Sequence, residues 1–240
     1  MDMVRRGMAL AGALALSGAL GCGSAGSVPA GGVDAGAGAG TNPDGVPYPQ
    51  PAGGYGHTPR SGTTPGSVLQ NFKFQGILAG STQVTTISMA DYYDPCNKRY
   101  KILHLSVAAV WCDPCNEETT AVVADLNSSS SVIKADGAVF IQALDDGPTE
   151  GVPATVADLN YWIENHDSNF TEMLDPGLQN LGGFFNAAAI PWNSDIDVRT
   201  MEMLDSSEGW SGDVSSEIAP GLSALPATPS YPIPAAANCP

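Results

Sequence analysis

The sequence predicts an α/β domain, a central mixed β-sheet flanked by helices, and three observations predict it. A strand-length apolar run, Lys101-Ile102-Leu103-His104-Leu105-Ser106-Val107-Ala108-Ala109-Val110, leads straight into a helix-spaced segment, Asp113 to Leu126, with Val122, Val123 and Leu126 on one face. A second apolar run, Gly137 to Leu144, follows and completes a strand, helix, strand unit of the kind that builds parallel sheet. Nearly continuous apolar strands suit the interior of a sheet covered on both faces.

The flanking sequence limits this core to one domain. Met1 to Gly21 carries Arg5 and Arg6 and then an apolar run from Met8 to Leu20, the charged-then-apolar order of a secretion signal. That run is shorter than the 20 or so residues a membrane-crossing helix needs, so cleavage is expected rather than a span. Ala19-Leu20-Gly21-Cys22 resembles a bacterial lipobox, with Ala19 where Leu, Val or Ile is usual, and implies lipidation at Cys22. An ordinary secreted protein is the alternative. Residues 23–66 hold thirteen Gly and seven Pro with no apolar periodicity, so residues 22–66 are expected to be a flexible tether. The folded domain is expected over 67–222, and a Pro-rich tail over 223–240.

Within the domain, Asn71 to Leu78 reads as an edge strand with Phe72, Phe74 and Leu78 alternating. Val84 to Tyr93 begins as a strand and ends in a helical turn at Asp94-Pro95. The run to Val110 delivers Trp111 and Cys112, and Asn127 with the four following Ser residues ends the helix after them. Asp145 to Pro148 is a turn. Thr155 to His166 carries Leu159, Trp162 and Ile163 at helical spacing, and a short segment, Phe170 to Leu174, closes at Asp175-Pro176-Gly177. Trp192 to Arg199 and Met201 to Leu204 read as strands joined by a tight turn, and a last helix is expected near Ser206-Ser207-Glu208, weakened by Gly209 and Gly212. His104 and His166 read as structural.

Twenty-five acidic against nine basic residues give a formal charge of −16, which argues against nucleic acid as a partner. The chemistry concentrates in Trp111-Cys112-Asp113-Pro114-Cys115. At the start of a helix, unpaired amides and the helix dipole favour a thiolate on the first sulfur, making Cys112 the attacking thiol. Two intervening residues let Cys115 reach back to resolve a mixed disulfide. Pro114 fits the first turn, where its missing amide would have no helical partner. Trp111 shields one side. A zinc site needs a second pair of ligands, which Cys96, Cys239, His104 and His166 do not supply in any ligand spacing.

Val110-Trp111-Cys112-Asp113-Pro114-Cys115 at a strand-to-helix junction resembles the thioredoxin superfamily, in particular its extracytoplasmic TlpA/ResA-like branch, over most of residues 67–215. The resemblance implies a thioredoxin-like fold and thiol-disulfide exchange on exported thiol or disulfide proteins. It implies no cofactor, and a monomer held in a bacterial cell envelope through its lipid anchor. It makes Ile190-Pro191 the family's cis-proline, and it makes Glu118, three residues after the second Cys, a manager of the buried thiol's proton. Ser106 stands where thioredoxin itself has a buried acid, a departure for which Glu118 could substitute. Asp113 places a negative charge beside Cys112, which opposes thiolate formation and points to a reductant or exchange catalyst rather than a strong oxidant. A non-catalytic binding or structural lipoprotein of the same fold is the rival reading. Cys96 and Cys239 remain, and an oxidising compartment favours their pairing, which would pin the tail to the loop before the central strand.

Overall fold

The computed structural model describes residues 40–51, 66–186, 189–229 and 232–239. The expected signal over 1–21 and the lipidation candidate Cys22 lie outside them. Seven strands form one mixed sheet: β1 (Lys73–Ile77), β2 (Val84–Ser88), β3 (Ile102–Ala108), β4 (Ala138–Leu144), β5 (Thr171–Leu174), β6 (Trp192–Asp197) and β7 (Glu202–Glu208). Their order is β2-β1-β5-β4-β3-β6-β7. β3, β4 and β5 run parallel, while β1 on β5, β2 on β1, β6 on β3 and β7 on β6 are antiparallel. The α-helices are α1 (Asp113–Asn127), α2 (Val132–Asp136), α3 (Val156–His166) and α4 (Val214–Ala224). The parallel β3-α1-β4 crossover, with the antiparallel β6-β7 hairpin on β3's other side, makes this the thioredoxin-like fold. Among the described residues no helix is long and apolar enough to cross a membrane.

Strand alternation sorts the core. Leu103, Leu105 and Val107 of β3 join Ile141, Ala143, Met173, Trp192 and Ile196 on one face. On the other face Ile102, Ala138 and Phe140 pack with Val122, Ile133 and Ile218 of α1, α2 and α4, and Ala108 and Leu144 pack with Leu159 and Trp162 of α3. All four α-helices therefore cover one face. The opposite face is closed by irregular chain: Val46 and Tyr48, Leu69, Tyr93, Leu181 and Phe184, and Ala237. The sheet is thus covered on both faces, as its apolar strands imply, with the α-helices on one of them.

This coil layer corrects the expected tether. Residues 40–51 are not a free linker, because Val46 and Tyr48 are each only 2% exposed. The Tyr48 hydroxyl donates to the Leu69 carbonyl at 2.8 Å, and the Asn42 amide donates to the Tyr93 carbonyl at 3.0 Å. At the other end Cys96 and Cys239 form a disulfide with an S–S distance of 2.00 Å, and Ala237 is buried beside it.

Three elements also differ from expectation. Ser206 to Glu208 do not start a helix; they extend β7, whose pairing runs to Trp192 opposite Glu208. The last helix begins at Val214, after Gly209 and Gly212, both at φ +87°, with the Asp213 side chain accepting from the Ser216 amide. The Ser run does more than end α1, since Ser131 caps the unexpected α2. β1 is not an edge strand, because β2 lies outside it, and it ends at Ile77, so Leu78 is 45% exposed.

Candidate active site

The dithiol sits where β3 gives way to α1. Cys112 has extended backbone, φ −85° and ψ 109°, and occupies the cap position, its Sγ accepting from the Cys115 amide at 3.2 Å. Cys112 and Cys115 are joined as a disulfide with an S–S distance of 2.12 Å. Cys112 is 2% exposed and Cys115 fully enclosed, so of the two only Cys112 reaches the surface. The Ile190–Pro191 peptide is cis, and the Ile190 carbonyl lies 3.7 Å from Cys112 Sγ. The dithiol, Trp111 and Pro191 thus come together from two separate segments.

Two polar groups hold this corner. Asn116, immediately after the second cysteine, turns its amide nitrogen back onto the Cys112 carbonyl at 2.8 Å and the Val110 carbonyl at 3.3 Å. Its Oδ1 meets His166 Nε2 at 3.1 Å, which ties the end of α3 to the start of α1. Trp111 is 37% exposed and donates through Nε1 to Asp146 Oδ2 at 3.3 Å. The same carboxylate oxygen takes the Gly151 amide at 2.6 Å, so Trp111 is coupled to the loop after β4. In that loop burial first, then Asp146 and Asp175, push the Asp145 carboxyl up to about 7.

Glu118 is not an exposed helix residue. It is wholly buried on α1 one turn after Cys115, and its carboxylate accepts from Ser106 Oγ at 2.7 Å and from Asn193 Nδ2 at 2.7 Å. Burial pushes Glu118 up to about 7, against the pull of the Ser106 and Asn193 hydrogen bonds and the nearby His104. Ser106 therefore stands beside an acid supplied from α1. Gln142 of β4 completes the floor, donating to Ser106 Oγ at 3.3 Å and accepting from Trp162 Nε1 at 2.9 Å and Thr119 Oγ1 at 3.0 Å.

Behind Glu118 the network continues. His104 Nε2 lies 3.1 Å from Asn193 Oδ1, and Nδ1 lies 2.8 Å from Asp195 Oδ1. Burial alone would push His104 down, but the charge and hydrogen bond of Asp195 outweigh it and hold the imidazole up at about 9. The geometry agrees: both ring nitrogens face oxygen acceptors, which only an imidazolium satisfies. Asn193, Asp195, Asn116 and Asp146 were not singled out from sequence. The alternation Asn193, Asp195, Asp197 along one strand was the available signal for the first two.

Among the described residues, His104, Glu118 and Glu217 bring one ligand atom each within 4.8 Å of one another, the spacing of a metal cluster. Their atoms are already engaged: Glu217 takes the Ser211 amide at 2.7 Å, and Glu118 and His104 have the partners given above. The donor set therefore fits a hydrogen-bond network better than a metal. A cavity of about 610 Å³ lies elsewhere, lined by Tyr48, Tyr93, Arg199 and Pro234, and includes neither cysteine of the dithiol. One further buried acid stands apart from the dithiol. Glu172 of β5 is fully buried, Oε1 accepts from Ser168 Oγ at 2.7 Å, and Oε2 has no hydrogen-bond partner among the described residues.

No protein-family model matches the chain, and no curated protein does. Among solved structures, the thioredoxin domain of a thiol-disulfide oxidoreductase from Bacteroides vulgatus is 14% identical, with a TM-score of 0.47 over 63% of this chain and 94% of its own. A putative thiol:disulfide interchange protein from Chlorobium tepidum is 18% identical, with a TM-score of 0.45 over 66% of this chain and 97% of its own. The exposed lipoprotein thioredoxin of Streptococcus pneumoniae is 19% identical, with a TM-score of 0.45 over 65% of this chain and 99% of its own. The fold stands on the strand order and crossover described above, independently of these likenesses.

Proposed function

We propose that this chain exchanges disulfides with exported proteins through Cys112 and Cys115, as a reductant or exchange catalyst. The observation that carries the reading is the dithiol at the first turn of α1. There Cys112 Sγ receives the Cys115 amide and Cys112 is the one of the pair that reaches the surface, with cis-Pro191 alongside. In the reducing direction the Cys112 thiolate attacks one sulfur of a partner disulfide, forms a mixed disulfide and releases the partner's other sulfur as a thiolate, which takes a proton from solvent. Cys115 gives its proton to the Glu118 carboxylate and attacks Cys112 Sγ. The mixed disulfide breaks, the partner leaves as its second thiolate, and two electrons have passed to it. Glu118, one turn beyond Cys115 and poised near neutral pH, is suited to hold that proton. Pro191 and Trp111 border the partner's approach. Asp113, exposed beside Cys112, places like charge next to the thiolate, which favours the weaker oxidant. The proposal includes export by the signal over 1–21 and anchoring through a lipid on Cys22, with the chain acting as a monomer at a bacterial envelope.

The near-complete enclosure of Cys112 favours a second reading, a locked disulfide in a binding or structural lipoprotein. Equilibration in thiol buffers, with alkylation and mass analysis at Cys112 and Cys115, separates the two. Reversible reduction of the native protein, and capture of a mixed disulfide by Cys115→Ser, support exchange. A pair that resists reduction until the protein unfolds overturns it.

A further inference from the structure

The exchange step uses Glu118 but leaves the polar chain behind it without a role. Glu118, Asn193, His104 and Asp195 are each at most 2% exposed and joined end to end by hydrogen bonds of 2.7, 3.1 and 2.8 Å. Desolvating so many polar groups is costly unless each is paired, and here each is. Asp195 is held in turn by the Gly221 amide of α4 at 3.1 Å, so the chain runs from α1 through β6 and β3 to α4.

We propose that His104 is a positioning residue for Glu118: clamped by Asp195, it donates through Nε2 to Asn193 Oδ1 and so turns the Asn193 amide to present its N–H to the Glu118 carboxylate. This rests on the reading that Glu118 receives the Cys115 proton. The amide of Asn193 has one donor end and one acceptor end, and the direction it faces is set by what His104 offers. With Nδ1–H engaged by Asp195, Nε2 donates only while the ring is an imidazolium. A neutral ring would offer Nε2 as an acceptor, the amide would turn, and its oxygen would face Glu118, which could then answer only as a carboxylic acid. The imidazolium thus favours the carboxylate, and the imidazole the acid.

Other charged groups bear on the pair. Glu217 of α4 faces both, stabilising the His104 cation and opposing the Glu118 anion, and Asp205 of β7 acts on Asp195. From β4 the neighbours are uncharged, Gln142 and Phe140, whose ring stacks on His104 at 5.2 Å.

The test follows the carboxyl carbon of Glu118 by NMR in the full chain with ¹³C-labelled glutamate, assigned with Glu118→Gln. His104→Gln keeps a donor but never carries charge. Asn193→Ala leaves the His104–Asp195 pair intact but removes the Asn193 N–H to Glu118 together with the link, so its midpoint is the ceiling against which His104→Gln is compared, and His104→Asn is the second variant should His104→Gln fail to fold. His104→Gln and Asn193→Ala are both expected to raise the Glu118 titration midpoint by about one pH unit or more. The pH profile of disulfide exchange should move with it. An unmoved midpoint in the folded variants overturns the proposal. If the midpoint moves while Glu118→Gln leaves the exchange profile unchanged, the His104 coupling stands and the assignment of Glu118 to the dithiol falls.

Discussion

Replacing Glu172 by Gln tests whether the sheet interior holds a protonated acid. Burial pushes Glu172 up from 4.5 to about 8, with the Ser168 hydrogen bond opposing. The unpartnered Oε2 explains why: a carboxylate there would be buried with no donor on that oxygen to receive its charge. In the unfolded chain the group ionises near its ordinary value, whereas in the folded chain it stays protonated to about 8. The folded state therefore binds one more proton, and stability is lost as pH rises from about 4.5 through about 8. At about 1.4 kcal/mol per pH unit, the loss is about 3 kcal/mol at pH 7. Gln keeps the oxygen that accepts from Ser168 and carries no charge at any pH. Urea denaturation of both proteins between pH 4 and pH 9 should give curves close together at the acid end, where the amide nitrogen of Gln lacks a partner. The Gln variant should be ahead by about 2–3 kcal/mol at neutral pH. A difference that stays constant across the range would refute the assignment, because Asp145 and Glu118 are common to both proteins and cancel in the comparison.

Other substitutions probe the framework. Gly221→Ala would place a methyl 2.1 Å from Asp195 Cβ, and the overpacking is expected to lower stability by about 3 kcal/mol in urea denaturation; a change below about 1 kcal/mol would show that α4 yields freely. Asn116→Ala strips the Val110 and Cys112 carbonyls of a side-chain donor and should cost about 1–2 kcal/mol in the same assay, with exchange slowed. Cys96→Ser with Cys239→Ser opens a covalent link spanning 143 residues, and loop entropy alone predicts a loss of up to about 5 kcal/mol. Unchanged thermal midpoints for the double variant would mean that the tail holds without its bond.

The centre of the fold was legible because its signals are local. β3 and β4 are nearly continuous apolar runs, and α1 has a cap, a proline in its first turn and a polar end. The periphery was less so. Asp205-Ser206-Ser207-Glu208 is polar enough to suggest a helix start, yet an edge strand is permitted that polarity by its open side. α2 has five residues, too few to show a period. Residues 40–51 read as linker because their apolar burial rests on Val46 and Tyr48, set among Gly and Pro. In the site, the cysteines follow from their spacing at the start of one helix, and the family resemblance marks Glu118 and Pro191. Asn193 and Asp195 become neighbours of that helix only through the antiparallel register that sets Ser106 opposite Asn193 and His104 opposite Asp195. No local pattern announces that register.

The coil-covered face of the sheet has a practical consequence for cutting the chain. Trimming at residues 67 and 222, where composition changes, removes Val46, Tyr48 and Ala237 together with the sulfur that Cys96 needs. Such a fragment keeps every residue of the dithiol site, yet it bares Leu69 and Tyr93 to water and leaves a reactive thiol next to them. It would invite self-association through the newly uncovered side and scrambling between Cys96 and the very pair under study. Redox measurements on a minimal domain would then report the damage along with the chemistry, so the smallest faithful unit begins at or before Gly40 and retains Cys239.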